Sequence, residues 1–239
     1  MIHTDNLELR KWLTDHIDWN TASRPLLLKN FFPSDFDNYI AILWTPGIID
    51  NFPFDEIVVP PDTIEQTNKN IEVWGNFNVL NEVEDNVYRP TTFKEISERF
   101  DLTYDRNTIY KLDWSKRGIT TLLSKTKTIL NRIINSLINN ETLNLYVEDY
   151  WRWTSVYSLL PVDKEITYKV TVEEFMKFMD DTFYDANAYI FPDDKSWCLM
   201  NLEDLNFSVI AFNNQHSATI NNLNLVDTFK LSPEDKLFE

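Results

Sequence analysis

The stretch that decides the fold is YIFPDDKSWCLMNLEDLNFSVIAF, from Tyr189 to Phe212. Its apolar runs at Tyr189–Phe191, Trp197–Met200 and Phe207–Phe212 have the composition of strands, and short polar segments separate them. Sequential strands that are joined by short polar turns pair antiparallel. The stretch therefore predicts an antiparallel meander whose first turn begins at Pro192.

A long amphipathic helix is predicted from Ile119 to Ile138. Apolar residues recur there at intervals of three and four, which places them on one stripe of a helix. The stripe consists of Leu122, Leu123, Ile129, Leu130, Ile133, Ile134, Leu137 and Ile138. Because such a stripe must be buried against a large apolar surface, we expect this helix to pack on one face of the sheet.

Shorter helices are expected at residues 8–18, 92–100 and 172–181. The last two begin with a threonine that is followed three positions later by a glutamate, which is the pattern of a capping box. The segment TLNLYV, residues 142–147, predicts a strand, because its leucines and valine alternate with more polar neighbours.

Two structures are open for the segment from Ser34 to Leu43. A turn after Pro33 can lead into a strand, or Ser34 can cap a helix that has its apolar residues on one face. Residues 50–86 mix prolines, acids and amides with short apolar runs. They predict a long connection that contains one strand, at Ile71–Phe77.

Together these elements predict an α+β fold with a mainly antiparallel sheet and the long helix on one of its faces. At 239 residues the chain can bury a sizeable core. We expect a single domain over residues 1–239, with a less regular part at 1–90 and a compact part at 91–216.

The strongest compositional signal is charge, since 22 basic residues face 38 acidic ones and give a formal net charge of -16. Such a surface repels phosphate backbones and anionic lipids, so direct binding to nucleic acid or membranes is not expected. The acidity either serves solubility or attracts a basic partner, such as a toxin. The sequence has no run of eighteen apolar residues and a single cysteine, and a cytoplasmic location is the expectation.

Glycine is scarce, with 3 residues that lie far apart. The chain therefore has no phosphate-cradling loop, no dinucleotide fingerprint and no nucleophile elbow. Neither a metal nor an organic cofactor is indicated, because no cluster has the ligand spacing of a zinc or calcium site.

Cys198 is the first candidate for chemistry. A nucleophilic cysteine needs a histidine, a cation or a helix N-terminus to lower its pKa, and the histidines are His3, His16 and His216. Its place in a strand pattern beside a tryptophan instead favours core packing. A pair of Cys198 with His216 stays an open alternative.

An acidic cluster is the second candidate, formed by Asp193, Asp194, Glu203 and Asp204. Several carboxylates together can hold a divalent cation or serve a hydrolase. Turn chemistry explains the same residues, because acids are common in the exposed turns between strands.

An aromatic segment is the candidate contact surface. The residues expected in it are Tyr150, Trp151, Arg152, Trp153 and Tyr157. Tryptophan, tyrosine and arginine dominate the energetics of protein interfaces. The alternative is that they cover the end of the long helix.

Several of these residues also carry a resemblance to a group of uncharacterised bacterial proteins with a C-terminal signature of the form P-x-D-[KR]-x-W-C…D-L-[DN]. The matching positions are Pro192, Asp194, Lys195, Ser196, Trp197, Cys198, Asp204, Leu205, Asn206 and Ser208. The resemblance implies an α+β domain without an established activity. Members of the group often end the last strand in a Gly-Gly turn, whereas this chain has Asn213 and Asn214 there.

The stretch FPSDFDNYI, residues 32–40, is also similar to the Pro-x-x-Phe/Tyr motif of the SUKH immunity superfamily. Charge, the lack of catalytic motifs and these resemblances together indicate an acidic cytoplasmic protein-binding module, and more specifically an immunity protein that neutralises a basic toxin. The alternatives are an enzyme that uses the carboxylates of residues 193–204, with or without metal, and a structural protein.

Overall fold

The structure is a computed structural model. It describes residues 2–4, 7–17, 26–81, 85–138, 142–148, 167–182, 184–203 and 205–237. By their internal contacts these residues form two compact units. The first unit is Met1–Leu43 with Lys127–Glu239, and the second unit is Trp44–Thr126. The expected boundary between a less regular part and a compact part, near residue 90, falls inside the second unit. The single domain over residues 1–239 stays a prediction.

The described strands confirm the α+β class and the antiparallel sheet. In chain order they are β1 (Ile2–Thr4), β2 (Asn38–Leu43), β3 (Pro46–Ile48), β4 (Arg89–Pro90), β5 (Ile119–Thr121), β6 (Leu143–Val147), β7 (Thr167–Val170), β8 (Ala188–Phe191), β9 (Trp197–Asn201), β10 (Phe207–Phe212) and β11 (Thr228–Leu231). The first unit holds an eight-stranded sheet in the order β1-β7-β6-β8-β9-β10-β2-β11. Each of these neighbouring pairs is antiparallel.

The predicted meander is present as β8, β9 and β10, at the centre of the sheet. Tyr189 lies opposite Met200, and Met200 lies opposite Val209. The open choice for Ser34–Leu43 is resolved in favour of the strand, and the helix alternative is wrong. The reason is tertiary, because β2 pairs with β10 on one side and with β11 on the other.

Both faces of the central strands are buried. Every residue of β6, β8, β9 and β10 is buried, including Asn144 in β6, although the sequence of β6 alternates apolar and more polar residues. Asn144 is accommodated by hydrogen bonds from its side-chain amide to the carbonyl oxygen of Phe191 and to Asp193. Alternation in sequence therefore does not mean an exposed face in this strand.

Aromatic side chains from the N-terminal part of the chain cover one face of the sheet. The register places Tyr39, Tyr189 and Phe191 on the same face. The ring of Phe32 lies 5.9 Å from that of Tyr39 and 6.3 Å from that of Tyr189, and the ring of Trp12 lies 5.1 Å from that of Phe191. Edge-on and tilted contacts of this kind add to the burial of apolar area.

The helices, in chain order, are α1 (Leu7–Thr14), α2 (Ile64–Asn76), α3 (Phe93–Phe100), α4 (Leu123–Leu137), α5 (Val172–Asp181) and α6 (Ser217–Asn222). The long predicted helix begins later than expected, because Ile119–Thr121 pairs with β3 as a strand. The middle of its stripe is buried, with Leu130, Ile133 and Ile134 each at 0% exposure, and the other stripe residues of the helix are half-buried. That α4 packs on the sheet stays a prediction.

The capping signals position two helices correctly. Thr171 and Glu174 form a complete capping box at the start of α5. Thr92 accepts the backbone N–H of Glu95 at the start of α3, but the Glu95 carboxylate forms an ion pair with Arg89. The helix expected at residues 8–18 ends at Thr14.

The second unit has a small sheet in the order β4-β3-β5, with α2 and a separate apolar core. The strand expected at Ile71–Phe77 is wrong, because these residues continue α2, which starts with a capping box of Thr63 and Gln66. Asn70 holds the helix in place, since its buried side chain bonds both the N–H and the C=O of Val58. Local sequence patterns do not predict this contact, because Asn70 and Val58 are not close neighbours in the sequence.

No helix in the described ranges combines the length and the apolar content that crossing a bilayer requires.

Alanine substitutions at two glycines of the second unit should change the stability of the protein in opposite directions. A Cβ at Gly118 would lie 2.6 Å from ring carbons of Phe54, whereas a Cβ at Gly75 would meet nothing within 4 Å. We expect Gly118→Ala to lower the free energy of unfolding by about 1–3 kcal/mol through overpacking. Gly75, which does not have a positive φ, serves as the matched control, and Gly75→Ala should raise it by about 0.5–1 kcal/mol.

Urea denaturation of both variants tests this pair of expectations. Equal effects of the two substitutions would contradict the packing that surrounds Gly118.

Candidate functional site

The turn between β8 and β9 meets the segment after β10 at one end of these central strands. We call residues 192–196 with 213–216 the β8–β9 corner. The pairing of Phe212 with Trp197 brings them together. The N–H of Lys195 donates to the carbonyl of Pro192 at 3.2 Å, and the N–H of Asn213 donates to the carbonyl of Ser196 at 3.0 Å. Two of the four predicted acids lie in this corner.

Asp193 forms a structural contact in the corner. Its carboxylate accepts hydrogen bonds from the Lys169 ammonium, as an ion pair, and from the Asn144 amide at 2.8 Å. Partial burial alone would raise the pKa of Asp193, but the bonds from Lys169 and Asn144 outweigh it and lower the pKa below its usual value. Asp193 therefore supports the buried Asn144 of β6.

Asp193→Ala should lower the free energy of unfolding by about 1–2 kcal/mol at pH 7, because the buried amide of Asn144 loses an acceptor. Asp193→Asn keeps an acceptor oxygen and should therefore lower the free energy of unfolding by a smaller amount. The folded pKa of Asp193 is depressed, so its contribution is present above the ordinary carboxyl pKa of about 4 and is lost as the pH falls through the folded pKa.

Urea denaturation of wild type and both variants at pH 7 and at about pH 3 measures this contribution. A difference between wild type and Asp193→Ala that does not shrink in acid would contradict the assigned role of the charge.

Asp194 serves the backbone of the same turn. Its carboxylate accepts the N–H of Ser196 at 2.9 Å, which is the bond of an Asx turn. The turn also places Lys195 at a φ of 59° and its ammonium 5.4 Å from the centre of the Trp12 ring. These contacts fit the interpretation of Asp194 as a turn residue.

The predicted acidic cluster is not brought together at one place. Glu203 follows β9 and Asp194 precedes it, and a five-residue strand spans about 17 Å. Asp204 lies outside the described residues. Among the residues described, no three His, Cys, Asp or Glu side chains are grouped so as to hold a metal ion.

Cys198 lies inside the sheet. It is 0% exposed, and burial raises the pKa of its thiol well above the usual value. A thiol with a raised pKa is a poor nucleophile, and no substrate can reach it in this structure. The interpretation of Cys198 as a core residue fits this environment.

His216 bonds to Ser196 rather than to Cys198. Its Nε2 lies 3.0 Å from the Ser196 hydroxyl oxygen, and burial lowers the pKa of the imidazole, partly offset by Asp194. Ser196 is only 4% exposed, and the Asp194 carboxylate accepts the backbone N–H of Ser196, so the hydrogen bonds of the corner link its own residues to one another.

Sequence analysis missed the contact between Ser196 and His216. Twenty positions separate the two residues, and only the register of β10 on β9 brings them together. The cysteine two positions beyond Ser196 drew attention because of its chemistry, while the hydroxyl carried no local signal.

The predicted aromatic interface, with Tyr150, Trp151, Arg152, Trp153 and Tyr157, lies outside the described residues. Within them, the large apolar side chains that remain exposed are Val58, Ile64, Ile71, Leu80, Tyr104, Tyr110 and Val226. Ile64 stands apart at 81% exposure.

A cavity of about 240 Å³ in the second unit is lined by Phe54 and Phe100 together with two lysines. Lys111 forms an ion pair with Asp105, and Lys116 donates to the carbonyl of Phe54. Both ammonium groups thus already hold the walls of the cavity together.

Comparison with known proteins assigns no family to the chain. No protein-family model matches it, and searches of curated proteins and of solved structures gave no match. The resemblances to the bacterial group and to the SUKH superfamily stay predictions.

Proposed function

We propose that this chain is an acidic protein-binding module that acts by covering a basic partner, and specifically that it is an immunity-type inhibitor of a basic toxin. The observation that carries the proposal is the net charge of -16. Its sign and size favour association with a cationic protein, because opposite potentials steer the encounter and raise the association rate.

The arrangement of ion pairs supports the proposal. Several cationic side chains of the described residues form ion pairs within the chain, and the excess of acidic residues over basic ones remains. These pairs include Lys29–Glu234, Lys69–Glu56, Arg89–Asp50, Lys111–Asp105, Lys127–Asp180, Lys169–Asp193 and Lys177–Asp181. Exposed pairs of this kind add little stability, but they neutralise charges that would otherwise repel a basic partner.

The second part of the proposal is that Trp151 and Trp153, with the adjoining aromatics, contribute to the contact. Large aromatic side chains in an interface supply most of its binding energy, and acids around them supply specificity.

The test is affinity capture with the tagged chain at about 50 mM and about 300 mM salt, since screening weakens contacts between exposed charges. We expect one basic protein to be retained at stoichiometric level and to be lost at the higher salt. Trp151→Ala/Trp153→Ala should fail to retain it even at the lower salt concentration. The activity of the purified partner should then be measured with and without this chain, and we expect the chain to inhibit it.

Failure to retain any basic protein at either salt would overturn the binding function. Retention without inhibition would overturn the inhibitor role and leave the binding role in place.

The alternative of an enzyme has less support. β9 separates Asp194 from Glu203, and Asp193 is engaged by Lys169 and Asn144. Neither arrangement leaves converging carboxylates that could activate a water or hold a cation.

We also propose that α4 covers the face of the sheet opposite Tyr189. That face is buried throughout β8, β9 and β10 and carries Ile190, Leu199 and Ile210. An ion pair between Lys127 of α4 and Asp180 links the helix to α5 within the first unit.

Methyl NOEs measure this packing directly. Contacts between Ile133 and the methyl groups of Ile190 or Leu199 are expected, since contacting side chains lie within about 4–4.5 Å. Their absence, with Ile133 contacting other helices only, would rule out this arrangement.

A further inference from the structure

Helix α2 of the second unit is attached by one face only. Asn70 and Val73 are its buried residues. On the opposite side Ile64 is 81% exposed and Ile71 is 43% exposed. Burying a side chain of this type is favourable, so an isoleucine left in water on a helix is a candidate contact residue.

The exposed residues follow the spacing of a coiled-coil seam. Ile64, Asn68, Ile71 and Gly75 are separated by four, three and four positions, which corresponds to heptad positions d, a, d and a. All four are exposed. A polar Asn at an a position is a device that specifies the register and the partner of a helix pair.

Gly75 provides a second, independent feature of this seam. Glycine inside a helix is destabilising relative to alanine, and the space around Gly75 is open, with no atom within 4 Å of an added Cβ. Packing within the chain therefore does not require it. At a helix contact, a residue without a side chain lets another backbone approach closely.

Acidic residues flank the seam. Glu65 and Glu72 occupy the two e positions, and both are exposed. The described residues provide no ion pair to either carboxylate. The e and g positions of a helix pair choose the partner by charge, so two glutamates here select lysine or arginine on the other helix.

We propose that the Ile64–Asn68–Ile71–Gly75 face of α2 is a docking surface for an amphipathic helix of a partner protein that has Lys or Arg beside its apolar seam. This inference rests on the proposed function, because it names the structural element through which the basic partner is recognised. A seam of about two heptads is below the size of a stable interface, so α2 contributes one part of a larger contact.

Charge complementarity favours this occupant over an antiparallel second copy of the chain. In an antiparallel pair of α2 helices the e positions face each other, which would place Glu65 beside the Glu72 of the other copy. Like charges that face each other in this way are destabilising.

The test uses a synthetic amphipathic helix of about three heptads with Ile at a and d and Lys at e and g. Its matched control has Glu in place of each Lys. Titration calorimetry with the full chain should give a Kd on the order of 10–100 μM for the basic peptide, and at least about tenfold weaker binding for the acidic one.

Ile64→Ser/Ile71→Ser and Glu65→Lys/Glu72→Lys should each weaken binding of the basic peptide by about tenfold or more. Val226→Ser removes an exposed apolar residue of the first unit and should leave the binding of the basic peptide unchanged. All these residues are exposed, and unchanged circular dichroism and thermal melting should show that the variants fold.

Equal binding of the basic peptide by wild type and Ile64→Ser/Ile71→Ser, or no binding at about 1 mM peptide, would overturn the docking surface. A wild-type dimer in sedimentation that is absent in Ile64→Ser/Ile71→Ser would also overturn the proposal, because the seam would then bind a second copy of the chain. Should a captured basic protein bind wild type and this variant equally, the docking surface is wrong while the proposed function stands. Should no basic protein bind wild type, the proposed function fails whatever the peptide does.

Discussion

The pairing of β9 with β8 on one side and β10 on the other is the constraint on which the first unit depends. All three strands are buried on both faces, so their backbone groups have no water to bond and must be satisfied by the neighbouring strands. The register that results fixes which side chains share a face. It also places the end of β10 beside the turn at Pro192, which assembles the β8–β9 corner.

Several polar side chains inside this sheet form specific hydrogen bonds. Asn201 is buried and donates to the carbonyl oxygens of Tyr184 and Ala186, and the Ser208 hydroxyl lies 3.4 Å from its side-chain oxygen. Asn144 depends in the same way on Asp193. Residues that look like candidates for chemistry in the sequence thus stabilise a sheet that is covered on two sides.

The surface of the molecule is characterised by its charge and by exposed apolar residues on α2. Several lysines and one arginine form ion pairs with nearby acids, and the excess of acidic over basic residues gives the chain its net charge of -16. On α2 the same charge flanks an apolar stripe that the second unit does not bury. An acidic field attracts a broad class of cationic proteins, whereas an apolar seam with a defined spacing can discriminate among them.

Local patterns by themselves determined the antiparallel meander, the capped starts of α3 and α5, the amphipathic character of α4 and the acidic surface. Each of these depends on residues that are close in sequence, such as Thr171 and Glu174. Tertiary structure alone decided that Asn38–Leu43 is a strand rather than a helix and that Ser196 bonds to His216. The physical reason is that these outcomes depend on pairing and burial between distant segments, which no local spacing encodes.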